Sequence, residues 1–298
     1  MEKINYLGLD CCKLSNREVE LVATANVGPR ILLYSFTGEE NMLGEAPDAV
    51  AQTELGEWRA WGGHRLWIAP EAKPRSYAPD NGPLTIEAAG ANGVRLSQNA
   101  DASGVEKEMT IVLDAEGTGV SVLHRITNRN LWAIEAAPWA LTIMNGGGVA
   151  LFPQEPFRAW ADYLLPARPL VLWHYTDLTD ARWSFGKRYI GLRSDAAHPE
   201  PQKMGMLNKQ GWAAYLRGET LFVKRAGYVE GATYPDYNCN FETYTAGTFI
   251  ELESLGPVAR LEPDESAEHT ERWFLLRAPG VTPENFDATL DALAAQTE

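Results

Sequence analysis

The side chains most able to do chemistry gather in one short segment. Positions 58–71 hold three indoles, two guanidinium groups, an imidazole and a carboxylate. The indole of Trp67 could cover the apolar face of a sugar ring, and the polar groups of His64, Arg65 and Glu71 could hydrogen-bond its hydroxyls. Gly63 lets the backbone approach closely beside them. The segment predicts a polyol site, although a core role for Trp67 is an equal alternative.

A second cluster lies near the C-terminus, in the sequence FIELESLGP at 249–257. Side chains two apart emerge on the same face of a strand, so Glu251 and Glu253 should point together. Each carboxylate raises the proton affinity of the other, which suits a general base if that face lines a pocket. On a solvated face they would be ordinary surface charges. Glu242 could reach the same cleft from a neighbouring strand.

Two further residues are weaker candidates. His124 alternates with Val122 and Ile126 and should share their buried face, which favours a core histidine over an acid catalyst. Lys203 falls near a predicted loop end, where binding residues and ordinary solvated lysines are equally common. We keep His124 as a candidate acid and Lys203 as a candidate sugar ligand.

Well-marked catalytic and metal motifs do not occur in the sequence. It has no G-x-S-x-G, no G-x-x-x-x-G-K-[ST] and no H-E-x-x-H. The five histidines lack the close spacing of a metal site, so we expect no metal and no cofactor. Cys11 and Cys12 are adjacent and Cys239 is alone, which predicts reduced thiols rather than a disulfide framework.

Composition limits the class of protein. The 298 residues are 45% hydrophobic and carry a formal charge of −14, which excludes disorder and disfavours nucleic acid and anionic membrane surfaces as partners. The sequence contains no stretch of roughly 20 apolar residues, and its first ten residues do not resemble a signal peptide. We therefore expect one large soluble, cytoplasmic domain spanning 1–298.

Strand signals recur along almost the whole chain. Alternating or β-branched runs such as 31–36, 107–113, 120–127 and 248–253 predict strands, and the Gly-containing segment 114–119 suits a hairpin. We predict an all-β protein, a large antiparallel β-sandwich of two sheets.

The chain ends on the one strong helix signal. Thr282 could cap it, Pro283 suits its first position, and Phe286, Leu290 and Leu293 recur at helical spacing. We expect this C-terminal helix to pack on a sheet. The glycines of 145–148 stand between two predicted strands and favour a tight hairpin turn over a phosphate cradle.

These segments together resemble the galactose mutarotase-like superfamily, in a branch related to aldose 1-epimerases and hexose-6-phosphate epimerases. The similarity covers most of the chain and lies in the order of short motifs: residues 16–36 with VGPR at 27–30, GGHRLWIAPE at 62–71, HRITN at 124–128, FIELESLGP at 249–257 and HTERW at 269–273. The resemblance implies a supersandwich of two large antiparallel sheets with a sugar site on a concave face.

The resemblance also implies residue roles. In such epimerases a glutamate in a Leu-Glu strand removes the proton of the anomeric hydroxyl and a histidine protonates the ring oxygen. Leu252-Glu253 matches that strand, so Glu253 is the candidate base. The stretch matching the family histidine reads ALTIM at 140–144, so His64 or His124 would have to supply the acid. Trp61 stands where phosphosugar epimerases have a phosphate-binding arginine, which favours a neutral sugar.

Three functions follow from this sequence. The leading one is an aldose 1-epimerase-like enzyme acting at the anomeric carbon of a hexose or related sugar by general acid and base ring opening. The alternative is a non-catalytic carbohydrate-binding protein that keeps the cleft without the reaction, which the missing histidine favours. A glycoside hydrolase or lyase would need a second carboxylate about 5–9.5 Å from the first. A large sheet face could also support a homodimer.

Overall fold

Two large antiparallel sheets form the protein, as the strand pattern predicts. The structure is a computed structural model that describes residues 1–282 and 285–298. Each sheet combines strands from distant parts of the chain, so the spatial order of the strands is not the order of the sequence. The central strands of the first sheet carry the candidate site.

The first sheet brings the two chemical clusters of the sequence side by side. In spatial order it consists of β1 (Glu2–Tyr6), β2 (Leu9–Ser15), β3 (Val19–Thr24), β4 (Arg30–Phe36), β7 (His64–Ala69), β12 (Ile134–Asn145), β21 (Phe249–Leu255), β20 (Phe241–Ala246), β17 (Gln202–Met206) and β14 (Leu170–Leu172), with β22 (Ala259–Leu261) beside β12. Only β12 separates β7 from β21.

The second sheet covers one face of the first. Its strands, in spatial order, are β15 (Trp183–Phe185), β16 (Tyr189–Arg193), β13 (Val149–Pro153), β18 (Trp212–Arg217), β19 (Thr220–Ala226), β23 (Ser266–Arg277), β11 (Val120–Asn128), β10 (Val105–Leu113), β9 (Gly93–Gln98) and β8 (Thr85–Ala88). The predicted hairpin at 114–119 joins β10 to β11. A separate two-stranded hairpin consists of β5 (Glu45–Thr53) and β6 (Gly56–Gly62).

The main apolar core lies between the two large sheets. Alternate side chains of each strand enter it, including Leu66 of β7, Leu252 of β21, Val122 of β11 and Trp273 of β23. This burial follows the period of two that a strand imposes on its side chains. The opposite face of the first sheet is therefore free to carry a different set of residues.

The C-terminal helix begins later than the sequence signals suggest. Helix α2 spans Phe286–Ala294 with Asn285 at its N-cap position, whereas Pro283 lies outside the described residues. Thr282 does not cap the helix, and its backbone N–H donates to Asn285 Oδ1. As expected, the helix packs on a sheet, since Phe286 and Leu290 join the apolar cluster on the outer face of the second sheet.

The remaining helical elements are short. They are α1 (Pro235–Asn238) and two 3-10 turns, Arg75–Tyr77 and Ala295–Thr297. None of the helices in the described ranges has the length and apolar character needed to span a membrane.

The glycine run at 145–148 does not close a hairpin, contrary to the sequence prediction. It links β12 in the first sheet to β13 in the second. A Cβ at Gly148 would lie 2.4 Å from the carbonyl oxygen of Leu216, so the crossing needs a glycine there. The composition of a turn indicates that the chain bends but not which strands pair afterwards.

Candidate functional site

The candidate site lies on the face of the first sheet that points away from the second. Strand alternation sends Arg65 and Trp67 of β7 to this face and their neighbour His64 to the interior. The register pairs Arg65 with Leu141 and pairs Leu141 with Glu253. Glu253 in turn pairs with Glu242. Arg65 of β7, Glu253 of β21 and Glu242 of β20 therefore lie in one row across the sheet, with Leu141 of β12 between the first two.

A cavity of about 750 Å³ opens above this face. Five residues that the sequence singled out line it: Arg65, Trp67, Glu71, Lys203 and Glu251. They come from strands β7, β17 and β21 and from the loop after β7. The hollow has the size expected of a small-ligand site.

Arg65 stands in the cavity wall between two indoles. Its guanidinium carbon lies 4.9 Å from the ring centre of Trp58 and 4.3 Å from that of Trp67. Nη2 is 3.8 Å from Oε1 of Glu251, while Nε and Nη1 have no hydrogen-bond partner. Burial lowers the pKa of Arg65 to about 10, so the group stays cationic at neutral pH. Buried donors without a partner are costly unless a ligand or water satisfies them.

Glu251 is the late-chain carboxyl group that faces the cavity. Burial, with a further contribution from Glu253, raises the pKa of Glu251 to about 7. Arg65 opposes that shift only partly. Near neutral pH the side chain therefore exists in both its protonated and its ionised form, as an acid–base group requires.

Glu253 points the same way from β21 but does not line the cavity. Its side chain is fully buried, and Nε1 of Trp139 donates to its Oε2 at 2.9 Å. The ammonium of Lys203 lies 3.1 Å from the same oxygen and 3.3 Å from Oε1. Both oxygens of Glu253 are thus engaged with protein groups.

Lys203 also contacts Glu242, with 2.8 Å between Nζ and Oε2. Burial alone would lower the pKa of Lys203, but Glu242 and Glu253 raise it well above its ordinary value. Burial raises the pKa of Glu242 to about 8 although Lys203 opposes the shift. The predicted substrate ligand Glu242 is therefore buried beneath the cleft, where it contacts Lys203.

His64 and His124 lie away from the cleft, in the space between the sheets. Both are fully buried, and their Nε2 atoms are 2.7 Å apart. His64 Nδ1 contacts Thr142 Oγ1 at 2.8 Å, and His124 Nδ1 donates to the backbone oxygen of His269 at 2.9 Å. The core position expected for His124 is confirmed. This location corrects the expectation that either imidazole reaches the sugar. Neighbouring side chains of a strand point to opposite faces, so His64 points to the core while Arg65 points to the cleft.

The two imidazoles belong to a buried polar network. Glu271 comes within 3.8 Å of His64 Nε2, and His64, His124 and Glu271 bring ligand atoms within 4.8 Å of one another. Lys224 lies 2.9 Å from Glu271 Oε1 and also contacts the backbone oxygens of Leu252 and Ala140. The ammonium already balances the carboxylate, so the cluster has the character of a structural network rather than a metal site.

Two glycines set where β7 starts. Gly62 and Gly63 have φ angles of +96° and +66°. A Cβ at Gly62 would lie 2.2 Å from the oxygen of Gly44, and one at Gly63 would lie 2.0 Å from the oxygen of Ile31. Only glycine fits so close to neighbouring backbone, and the turn determines which side chains of β7 face the cleft.

The sequence reasoning did not assign a role to several residues that line the cleft. These are chiefly aromatic: Tyr77, Trp139, Tyr175 and Tyr244. A usable signal existed for Tyr244, since it stands two residues after Glu242 on the same strand and must share its face. The loop residue Tyr175 carried no such signal.

Comparison with solved structures identifies the fold. A TPR-domain containing protein from Parabacteroides distasonis aligns with TM-score 0.62 and 12% identity over 97% of this chain and 55% of that one, so the chain spans about half its length. A candidate mutarotase from Salmonella typhimurium aligns with TM-score 0.59 and 13% identity, covering 93% and 97% of the two chains. A galactose mutarotase-like protein from Lactobacillus casei gives TM-score 0.52 and 10% identity, covering 89% and 100%.

Sequence comparison adds no closer relative, since no protein-family model and no curated protein matches the chain at a significant level. At identities of 10–13% the structural matches establish architecture and leave activity open. The two-sheet order and the short C-terminal helix agree with the architecture expected from the sequence motifs. The chain therefore has the galactose mutarotase-like fold.

Proposed function

We propose that the protein is an aldose 1-epimerase-like enzyme that binds a hexose or related sugar in the cleft and interconverts its anomers. The observation that carries this proposal is the meeting of Arg65, Trp67 and Glu251 around one cavity of about 750 Å³. The candidate mutarotase and the galactose mutarotase-like protein that share the fold support the substrate class. We also propose that residues 1–298 form a single domain.

The binding step uses the wall of the cavity. The indoles of Trp58, Trp67 and Trp139 offer apolar surfaces to the C–H face of a pyranose. The guanidinium of Arg65, which lines the cavity, donates to sugar oxygens. Glu71 and Lys203 add one acceptor and one donor at the rim.

The chemical step is assigned to Glu251, which replaces Glu253 as the working carboxyl group. The protonated carboxyl gives its proton to the ring oxygen while its second oxygen takes the proton of the anomeric hydroxyl. The bond from C1 to the ring oxygen breaks and the aldehyde forms, so protons balance and no cofactor is needed. Rotation about C1–C2 and the reverse transfer give the other anomer. Such proton transfer contributes about 10²–10⁴-fold in rate.

Glu253 then acts as a positioning residue. It holds Lys203 by two contacts of 3.1 and 3.3 Å and leaves the ammonium at the cavity wall. The fixed positive charge favours the electron-rich oxygen of the open-chain sugar. This arrangement gives Glu253 a role that does not require contact with substrate.

A second candidate function is a carbohydrate-binding protein without catalysis. The observation that favours it is the placement of His64 and His124 between the sheets, where neither can protonate a sugar in the cleft. The same cavity would then hold the ligand without turning it over.

Exchange NMR on freshly dissolved single-anomer sugars separates the two functions. Accelerated anomer exchange supports the enzyme, while saturable binding without exchange supports the binder. Because the mechanism needs neutral Glu251, whose pKa is about 7, the exchange rate should fall as pH rises through about 7. A rate that instead rises through that range would show that the ionised carboxylate is the active form. Lack of saturable binding for aldohexoses, pentoses and hexuronates would overturn both functions.

A further inference from the structure

A long loop between the two sheets' strands β13 and β14 presents apolar side chains to solvent. Residues 154–169 connect β13 to β14 and contain neither strand nor helix. The loop is closed at its base by Arg168, which donates from Nε and Nη2 to the backbone oxygen of Glu155 at 3.0 and 2.6 Å. A loop of this length in a compact domain, with its ends tied together, is commonly a functional surface.

The 154–169 loop and strand β14 expose an apolar patch. Its large side chains and their exposed fractions are Phe157 70%, Trp160 83%, Leu164 74%, Leu165 70%, Leu170 41% and Leu172 46%. At roughly 150–250 Å² for a whole aromatic side chain, and less for a leucine, these fractions amount to on the order of 700 Å². Contiguous apolar patches larger than a few hundred Å² mark interaction sites.

The charge of the patch differs from that of the rest of the protein. Residues 154–172 contain Arg158 and Arg168 against Glu155 and Asp162, a net charge of zero, whereas the whole chain carries −14. Two copies of so acidic a protein repel one another over most of their surface. The neutral patch does not add to that repulsion.

The patch also ends at an open sheet edge. Strand β14 is the last strand of the first sheet and, among the described residues, pairs only with β17. Its other edge leaves backbone N–H and C=O groups able to pair with a strand of another chain. An antiparallel strand pair is compatible with a two-fold axis, so the same edge can serve both copies.

We propose that the 154–169 loop and strand β14 form the interface through which two copies of this chain associate as a two-fold dimer. A standard interface buries about 800 Å² on each partner, which the apolar patch nearly supplies before any polar rim is counted. The paired β14 strands would join the two first sheets edge to edge. This inference does not depend on the proposed sugar chemistry.

Sedimentation velocity on the full chain tests the dimer. Wild-type protein at about 10 μM should sediment with twice the mass of the 32.9 kDa chain. The double substitution Trp160→Glu and Leu164→Glu should raise the dimer dissociation constant at least ~100-fold and give a monomer. The matched control is Leu131→Glu with Trp132→Glu, since these side chains are 90% and 64% exposed at the turn after β11. The control should remain a dimer.

Hydrogen–deuterium exchange on the wild-type protein gives an independent readout that needs no substitution. Amides of 170–172 should become more protected as protein concentration rises from about 0.5 to 50 μM. A wild-type protein that is monomeric over this range overturns the proposal. So does a dimer that persists in the Trp160 and Leu164 variant, or one that the Leu131 and Trp132 control also disrupts.

Discussion

The Lys203 ammonium contacts both oxygens of the Glu253 carboxylate, at 3.3 Å for Oε1 and 3.1 Å for Oε2. Two residues earlier on the same face, Glu251 lies 3.8 Å from the guanidinium of Arg65. The first carboxylate is held by fixed protein groups, whereas the second faces a cavity. Two glutamates of one strand thereby have different surroundings, one in contact with a buried ammonium and the other at the cavity wall.

Glu251→Gln should abolish anomer exchange and leave sugar binding largely intact. The amide keeps the shape of the side chain but cannot accept and return a proton, so the exchange rate should fall at least about 100-fold. Binding measured by calorimetry should stay within about tenfold. The control Glu57→Gln alters a partly exposed residue of β6 and should keep the wild-type rate. Unchanged exchange in the Glu251 variant would remove this residue from the mechanism.

Arg65→Lys should weaken sugar binding about tenfold or more. Lysine replaces a planar fork of donors between two indoles with a single flexible point charge. The matched change is Arg59→Lys, since Arg59 also lies over an indole, 5.6 Å from the ring centre of Trp61, but its side chain is 35% exposed. Titration calorimetry should show the loss only for Arg65. Equal affinities in both variants would contradict a role for Arg65 in binding.

Lys224→Met should destabilise the fold by about 3–5 kcal/mol, because it leaves the Glu271 carboxylate buried without its cation. The double variant Lys224→Met with Glu271→Gln removes both charges and should recover a large part of that loss. Urea unfolding at pH 7 measures both. A cost below about 1 kcal/mol for the single variant would mean that water or the imidazoles replace the ammonium.

The free energy of unfolding should fall as pH drops below about 6.5. Burial lowers the pKa values of His64, His124 and His269, the last to about 3, so these imidazoles stay neutral in the folded state. The unfolded chain binds their protons first, at a cost of up to about 1.4 kcal/mol per pH unit for each histidine.

Urea unfolding between pH 7 and 5 measures this slope. His269→Gln should reduce it, because one buried group no longer titrates. Stability that does not vary with pH over this range would contradict the neutral state of the buried imidazoles.

Strand alternation in the sequence was enough to predict the two-sheet architecture and the shared face of Glu251 and Glu253. It did not find β7, because both faces of that strand are covered and all six of its residues are buried. Without the strand, the sequence predicts that His64 and Arg65 act as one pair. Their adjacency on a strand forces them to opposite faces.

Other contacts could not be inferred from one sequence. Lys203, Glu242 and Glu253 meet because β17, β20 and β21 are neighbours in the sheet, an order that local patterns do not encode. The network of Lys224 and Glu271 likewise joins adjacent strands of the second sheet to the back of the first. Sequence patterns located the residue types of the cleft, while strand order decided their partners.

The turn at Gly62 and Gly63 determines which side chains of β7 point to the cleft and which point to the core. A single extra residue between Gly63 and His64 would exchange the two faces of β7. Arg65 would then point into the core, and His64 would point towards the cleft. Length variation in the 44–63 hairpin can therefore be tolerated at its tip, between β5 and β6, but not at its base. A replacement hairpin would therefore have to keep the same number of residues between the end of β6 and the start of β7.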